Sequence, residues 1–156
     1  MIADNTAQDI HSIEELTIVS LDKSQEGLDD LLNDVHKCAE ALKSEPTKES
    51  IQSLSLLAEH LHDFDIFEHD VCSLFEIDRS QFKDSKGSLE SNAERFRSAL
   101  NEFSAKLEKG DFEALSILFS HDLSDSLARF KELMPLVKTY VEEEYVQGEM
   151  VDGKIR

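Results

Sequence analysis

The sequence predicts an all-α fold, an antiparallel up-down bundle of four main helices. Three observations support this prediction. Apolar residues recur at spacings of three and four over long segments, which is the period of a helix. The 156-residue chain has only five glycines and two prolines, whereas sheet proteins need many tight turns. The connections at 44–46 and 110–111 are short, which makes consecutive helices antiparallel. We expect a single domain over 1–156, with flexible ends at 1–9 and 146–156.

The first main helix is predicted over 24–43, with Ser24 as its N-cap. Its apolar residues form one stripe along the helix: Leu28, Leu31, Leu32, Val35, Cys38, Ala39 and Leu42. The preceding residues, 10–21, are also rich in apolar side chains. We expect them to form a short additional segment, either helical or extended, packed on the bundle.

The second helix is predicted to open at Pro46, because a proline suits the first helical position, and to continue to Ile77. Its main apolar stripe consists of Leu54, Leu57, Leu61, Phe64, Cys72 and Phe75. A polar, unpatterned loop is expected over 78–88.

The third helix is predicted to begin after Ser88 as N-cap and to end at Gly110, a residue suited to a left-handed C-cap. Asp111 is then expected to cap the fourth helix. That helix would be long, and we expect it to be bent or broken. Residues 120–126 are dense in poor helix formers, and Pro135 removes a backbone donor.

One stretch of the fourth helix resembles a family of uncharacterised small bacterial helical-bundle proteins. The shared pattern is Gly-Asp-aromatic, here 110–112, followed by leucines. The chain departs from the pattern at Asp125, where the family has a proline, and at Phe130, where it has a tryptophan. The resemblance covers about a fifth of the chain and implies a helical fold and a bacterial origin, with no activity attached.

The charge balance argues against several classes of partner. Sixteen basic and thirty-four acidic residues give a net charge of −18, which repels phosphate backbones and anionic lipid headgroups. We therefore expect no nucleic-acid and no membrane binding. The N-terminus lacks a signal-peptide pattern, and two cysteines within apolar stripes suit a reducing compartment, so we expect a cytoplasmic protein. A disulfide between Cys38 and Cys72 is the less favoured alternative.

A cluster on the second helix is the best candidate metal site. Glu59 and His62 have the spacing that helices of carboxylate-bridged di-iron bundles contribute, and His62, Asp65 and His69 share one face. These three residues project about 100° from the centre of the apolar stripe, and no other helix offers a matching Glu-x-x-His. A solvated polar face is therefore the preferred interpretation, and we predict no bound cofactor.

The second helix also has a wider apolar arc than one bundle seam needs. Leu56, Phe67 and Leu74 project 100° or more from its main stripe. Residues 10–21 or the bent end of the fourth helix could cover them; left uncovered, they would form a partner-binding or dimer surface. We favour a non-enzymatic protein-binding module, a chaperone-like adaptor or regulatory factor that engages a partner helix or basic segment. A metal-dependent bundle enzyme and a homo-oligomeric structural protein are the alternatives.

Overall fold

A computed structural model describes the backbone of residues 2–143 and the side chains of residues 13–143. The ends predicted to be flexible, 1–9 and 146–156, lie outside the described side chains. A short π-helical segment, Phe119–Leu123, separates the last two helices. The other elements are α1 (Ile2–Ala41), α2 (Lys48–Leu74), β1 (Lys83–Asp84), β2 (Gly87–Ser88), α3 (Leu89–Lys109), α4 (Phe112–Leu118) and α5 (Ser124–Val141).

The first helix is longer than predicted, since α1 is continuous from Ile2 to Ala41. The predicted start at Ser24 is wrong: the Ser24 hydroxyl donates to the Leu21 carbonyl at 2.6 Å, a bond that a serine can make inside a helix. Residues 10–21 are helical, as one of the two alternatives had it, but they belong to α1 and do not form a separate segment. Leu21 is buried in the core.

Both ends of α2 differ from the prediction. Thr47 is its N-cap and accepts a hydrogen bond from the Ser50 backbone N–H at 3.1 Å, so Pro46 precedes the helix. The helix ends at Leu74 and not at Ile77. Beyond Leu74 the chain turns back, because Glu76 has a φ of 51° and the Ile77 N–H returns to the Cys72 carbonyl at 2.8 Å.

The caps of the following helices are confirmed. The Ser88 hydroxyl accepts from the Ser91 N–H at 3.1 Å, Gly110 ends α3 with a left-handed φ of 68°, and the Asp111 carboxylate accepts from the Ala114 N–H at 3.1 Å. The predicted loop over 78–88 contains a small antiparallel hairpin of β1 and β2.

The fourth main helix is broken, as predicted, into α4, the π-helical segment and α5. Serine hydroxyls bond to backbone carbonyls through this region: Ser120 to Ser116 at 2.9 Å, and Ser126 to both Asp122 at 2.9 Å and Leu123 at 3.1 Å. Pro135 lies inside α5 without ending it.

The four main helices form a closed ring around one core. α1 packs against α2 and α5, and α3 packs against the same two helices. Lys131 of α5 pairs with Asp29 of α1, and Lys138, about two turns further along α5, pairs with the earlier Asp22. The two helices are therefore antiparallel. The rings of Phe64, Phe96 and Phe130 meet edge to face at centroid distances of 5.0 to 6.0 Å. None of the helices within residues 2–143 is both long and apolar enough to cross a membrane.

Candidate functional site

The three apolar residues predicted to bind a partner lie along one line of α2. Offsets of 11 and 18 residues place Leu56, Phe67 and Leu74 within about 20° of one another around the helix axis. Leu56 is 53% exposed and Leu74 is 58% exposed. Phe67 is half-buried, with its ring centroid 6.4 Å from that of Phe64. Among the described residues nothing buries the two leucines, which is the uncovered alternative of the sequence analysis.

The neighbouring surface of α1 is also apolar and exposed toward its N-terminal end. Ile13 is 54% exposed and Leu16 is 61% exposed. At 100° per residue they lie within about 60° of Leu31, which faces α2. Exposed aliphatic side chains therefore occur on both α1 and α2, and single ones such as Ile117 of α4 and Leu136 of α5 are exposed elsewhere on the bundle.

Between these two helices runs an open groove, which we call the α1–α2 groove. Its largest part is a cavity of about 600 Å³. Phe64 and Phe67 form its apolar wall on α2, and Leu31 contributes from α1. Gly27 lies in the α1 wall. The remaining lining residues are Ser20, Lys23, Ser24, Asp30, Asp34, His60 and Asp63.

The residues of the candidate metal site do not converge. Glu59, His62 and His69 are exposed. The interpretation of a solvated face is wrong for Asp65, which is buried because it faces α3, where its carboxylate lies 3.5 Å from the Arg97 guanidinium. Within the described residues, no group of three or more His, Cys, Asp or Glu side chains is positioned to hold a metal ion. The arrangement gives the metal-enzyme alternative no geometric support.

A buried ion pair that was not predicted from the sequence lies at the C-terminal end of α2. Glu68 is fully buried, and one nitrogen of the Arg79 guanidinium donates to both of its carboxylate oxygens, at 2.8 Å to Oε2. A signal was present: Glu68 falls at the heptad spacing of Leu54, Leu61 and Phe75, where an apolar residue is expected. A charge at such a position needs a partner from elsewhere in the chain.

Burial dominates the electrostatics of this ion pair and of the thiol beside it. It raises the pKa of Glu68, and the Arg79 guanidinium opposes that rise. Burial and the neighbouring Glu68 carboxylate raise the pKa of Cys72 to about 12. Burial and Asp34 also raise the pKa of Cys38. Both cysteines are free thiols, and neither lies in the electropositive setting that activates a nucleophile. The ion pair instead holds the loop that follows α2, which contains Arg79, against the bundle.

A second cleft, of about 570 Å³, lies between the hairpin, α3 and α5. It collects Lys86, Arg95 and Arg129, an unusual density of cations in so acidic a chain. Each of them is paired with a carboxylate of the same chain: Lys86 with Glu132, Arg95 with Asp122 and Asp125, and Arg129 with Asp84 and Glu132. The cleft is therefore internally neutralised and is not a ready anion site.

Fold and site together define an acidic antiparallel four-helix bundle in which the described residues leave a groove open along one helix pair. The chain belongs to the family described as a domain of unknown function, DUF8042, whose model matches residues 19–133. The matched segment contains the lining of the α1–α2 groove and the three apolar residues of α2. Comparisons with curated proteins and with solved structures gave no significant match.

Proposed function

We propose that this protein is a non-enzymatic, cytoplasmic binding module that holds a basic helical segment of another protein, as an adaptor, chaperone or regulatory factor does. The observation that carries the proposal is the uncovered apolar line of α2, on which Leu56 and Leu74 are more than half exposed. Exposed leucines aligned on one helix face are typical of surfaces that receive an amphipathic helix. The net charge of −18 favours a basic partner and disfavours nucleic acid or an anionic membrane.

Site-specific photo-crosslinking in cells of the source organism tests this function. A photoreactive residue replaces Leu56 or Leu74 in the full chain, and the same residue at the exposed Glu102 of α3 is the matched control. We expect one partner protein to be crosslinked from both α2 positions and not from 102, with the crosslinked peptide carrying apolar residues at helical spacing and several Lys or Arg. Equal labelling from all three positions, or crosslinks only between copies of this chain, would contradict the proposal.

A further inference from the structure

The α1–α2 groove is longer than its largest cavity. Two smaller cavities, of about 210 and 170 Å³, continue it between the C-terminal half of α1 and the N-terminal half of α2. Together the three extend from Ser20 of α1 to Leu42, the residue after the end of that helix. At 1.5 Å per residue this is a trough of about 33 Å, the length of a helix of about 22 residues. Its dimensions fit a helix lying along the α1–α2 seam.

Gly27 marks the place where an occupant could approach most closely. It lies in the middle of α1, where glycine is less favourable than alanine by about 1 kcal/mol. Packing within the chain does not require it, since a Cβ built at Gly27 would meet nothing within 4 Å. The missing side chain therefore leaves open space in the wall of the groove. Glycine at such a wall allows the backbone of a second segment to approach closely.

The charges along the groove specify the complementary charge of the occupant. Asp30, Asp34 and Asp63 line the largest cavity, and none of them has an ion-pair partner among the described side chains. On the side of α1 that faces α5, by contrast, Asp22 and Asp29 are paired with lysines of that helix. Among the described residues, Lys23 lines the largest cavity and Lys37 lines both smaller ones, against the three aspartates. An occupant with Lys or Arg beside its apolar stripe would supply the missing partners.

We infer that the α1–α2 groove binds a basic amphipathic helix of a different protein, with the backbone of that helix against Gly27. This inference rests on the proposed function. It adds where the partner helix binds, which residue it approaches most closely and which charge it carries. Apolar side chains of the bound helix fill the space beside Phe64 and Phe67, and its cations pair with the three groove aspartates. The bound helix lies on the α1–α2 pair as a fifth helix of the bundle.

A defined peptide pair tests the inference on the full chain without knowledge of the natural partner. The probe is a fluorescent 18-residue amphipathic helix of Leu and Lys, and the control replaces every Lys by Glu. Gly27→Leu fills the groove without changing its charge, and Ala105→Leu adds the same side chain at an exposed position of α3. The variant Asp30→Asn/Asp34→Asn/Asp63→Asn removes the charges without filling the groove.

We expect the Leu/Lys peptide to bind the wild-type chain and the Ala105→Leu variant alike. Binding should be at least tenfold weaker to Gly27→Leu and to the triple Asn variant, and the Leu/Glu peptide should not bind. Unchanged affinity in Gly27→Leu would overturn the inference, since it would show that the peptide binds the acidic surface generally. Self-association of the wild-type chain that Gly27→Leu abolishes would also overturn it, by making a second copy the occupant. Crosslinking from Leu56 and Leu74 that persists in Gly27→Leu would refute the close contact while leaving the proposed function intact.

Discussion

Gly27 of α1 and Phe67 of α2 lie in the walls of the same groove, on opposite helices. The pairing is informative because the two residues fail to fill the space between the helices: one has no side chain, and the other is only half-buried. The core rings of Phe96 and Phe130, and of Phe103 and Phe119, pack edge to face, whereas the described residues leave this seam open.

Replacement of Gly27 by alanine should stabilise the protein. An alanine favours the helix by up to about 1 kcal/mol over glycine, and the added Cβ meets no neighbour within 4 Å. Gly110→Ala is the matched control. Its φ of 68° makes any side chain unfavourable, so it should lower the free energy of unfolding by about 1 kcal/mol. Urea denaturation of both variants measures the two changes, and a destabilised Gly27→Ala would show that the groove is filled in the free protein.

The exposed leucines of α2 should contribute little to stability. Because Leu56 and Leu74 are more than half exposed, Leu56→Gln and Leu74→Gln should each change the free energy of unfolding by about 0.5 kcal/mol or less. Leu61→Gln, at a fully buried position of the same helix, should cost about 2–5 kcal/mol. Chemical denaturation compares the three. Comparable losses at all three positions would mean that another part of the chain covers the face.

Removal of Arg79 should destabilise the protein in a pH-dependent way. Arg79→Ala leaves the buried Glu68 carboxylate without its partner, at a cost of about 3–5 kcal/mol near pH 7. The pKa of Glu68 is already raised in the folded protein, and loss of the cation raises it further. The folded state then binds a proton that the unfolded state releases, so stability falls as pH rises from the unfolded pKa through the folded one.

Urea unfolding of Arg79→Ala at pH 5 and pH 7 measures this effect, and the loss should be smaller at pH 5. Arg95→Ala serves as control because its ion pairs with Asp122 and Asp125 are exposed and should contribute about 1 kcal/mol or less at either pH. A loss for Arg79→Ala that is equal at both pH values would contradict the burial assigned to Glu68.

Cys72 should resist alkylation until the protein unfolds. A pKa of about 12 reduces its thiolate fraction at pH 8 by about 1,000-fold relative to an unperturbed thiol, and its side chain is buried. Iodoacetamide labelling of a Cys38→Ser variant, read by mass spectrometry with and without urea, follows Cys72 alone. Rapid labelling in the native state would place Cys72 at the surface.

Local signals in the sequence predicted the second half of the fold well. The caps at Ser88, Gly110 and Asp111 depend on hydrogen bonds within three or four residues, so the local sequence specifies them. The break of the fourth helix likewise follows from its clustered serines and aspartates. The predicted start of α1 was wrong because Ser24 is compatible with a helix interior. The predicted start of α2 was wrong because Thr47, and not Pro46, initiates the helix as its N-cap.

The candidate site was only partly predictable. Helical periodicity identified Leu56, Phe67 and Leu74 as lying off the core stripe, but whether another segment covers them depends on tertiary packing. The sequence did not predict a role for Gly27, because that role depends on the open space beside the residue in the folded protein. Glu68 and Arg79 meet because the chain reverses direction between them at Glu76. The positive φ of 51° at Glu76 could not be predicted from a sequence pattern.

An NMR titration with the Leu/Lys peptide locates the bound helix on the protein and so tests whether it occupies the α1–α2 groove. We predict that backbone amide shifts change along residues 20–42, which comprise the second half of α1 and its end, and along residues 50–67 of α2, with the exposed faces of α3 and α5 unchanged. Shift changes spread over all the acidic faces of the bundle, or confined to α3 and α5, would contradict the assignment of the α1–α2 groove as a binding site.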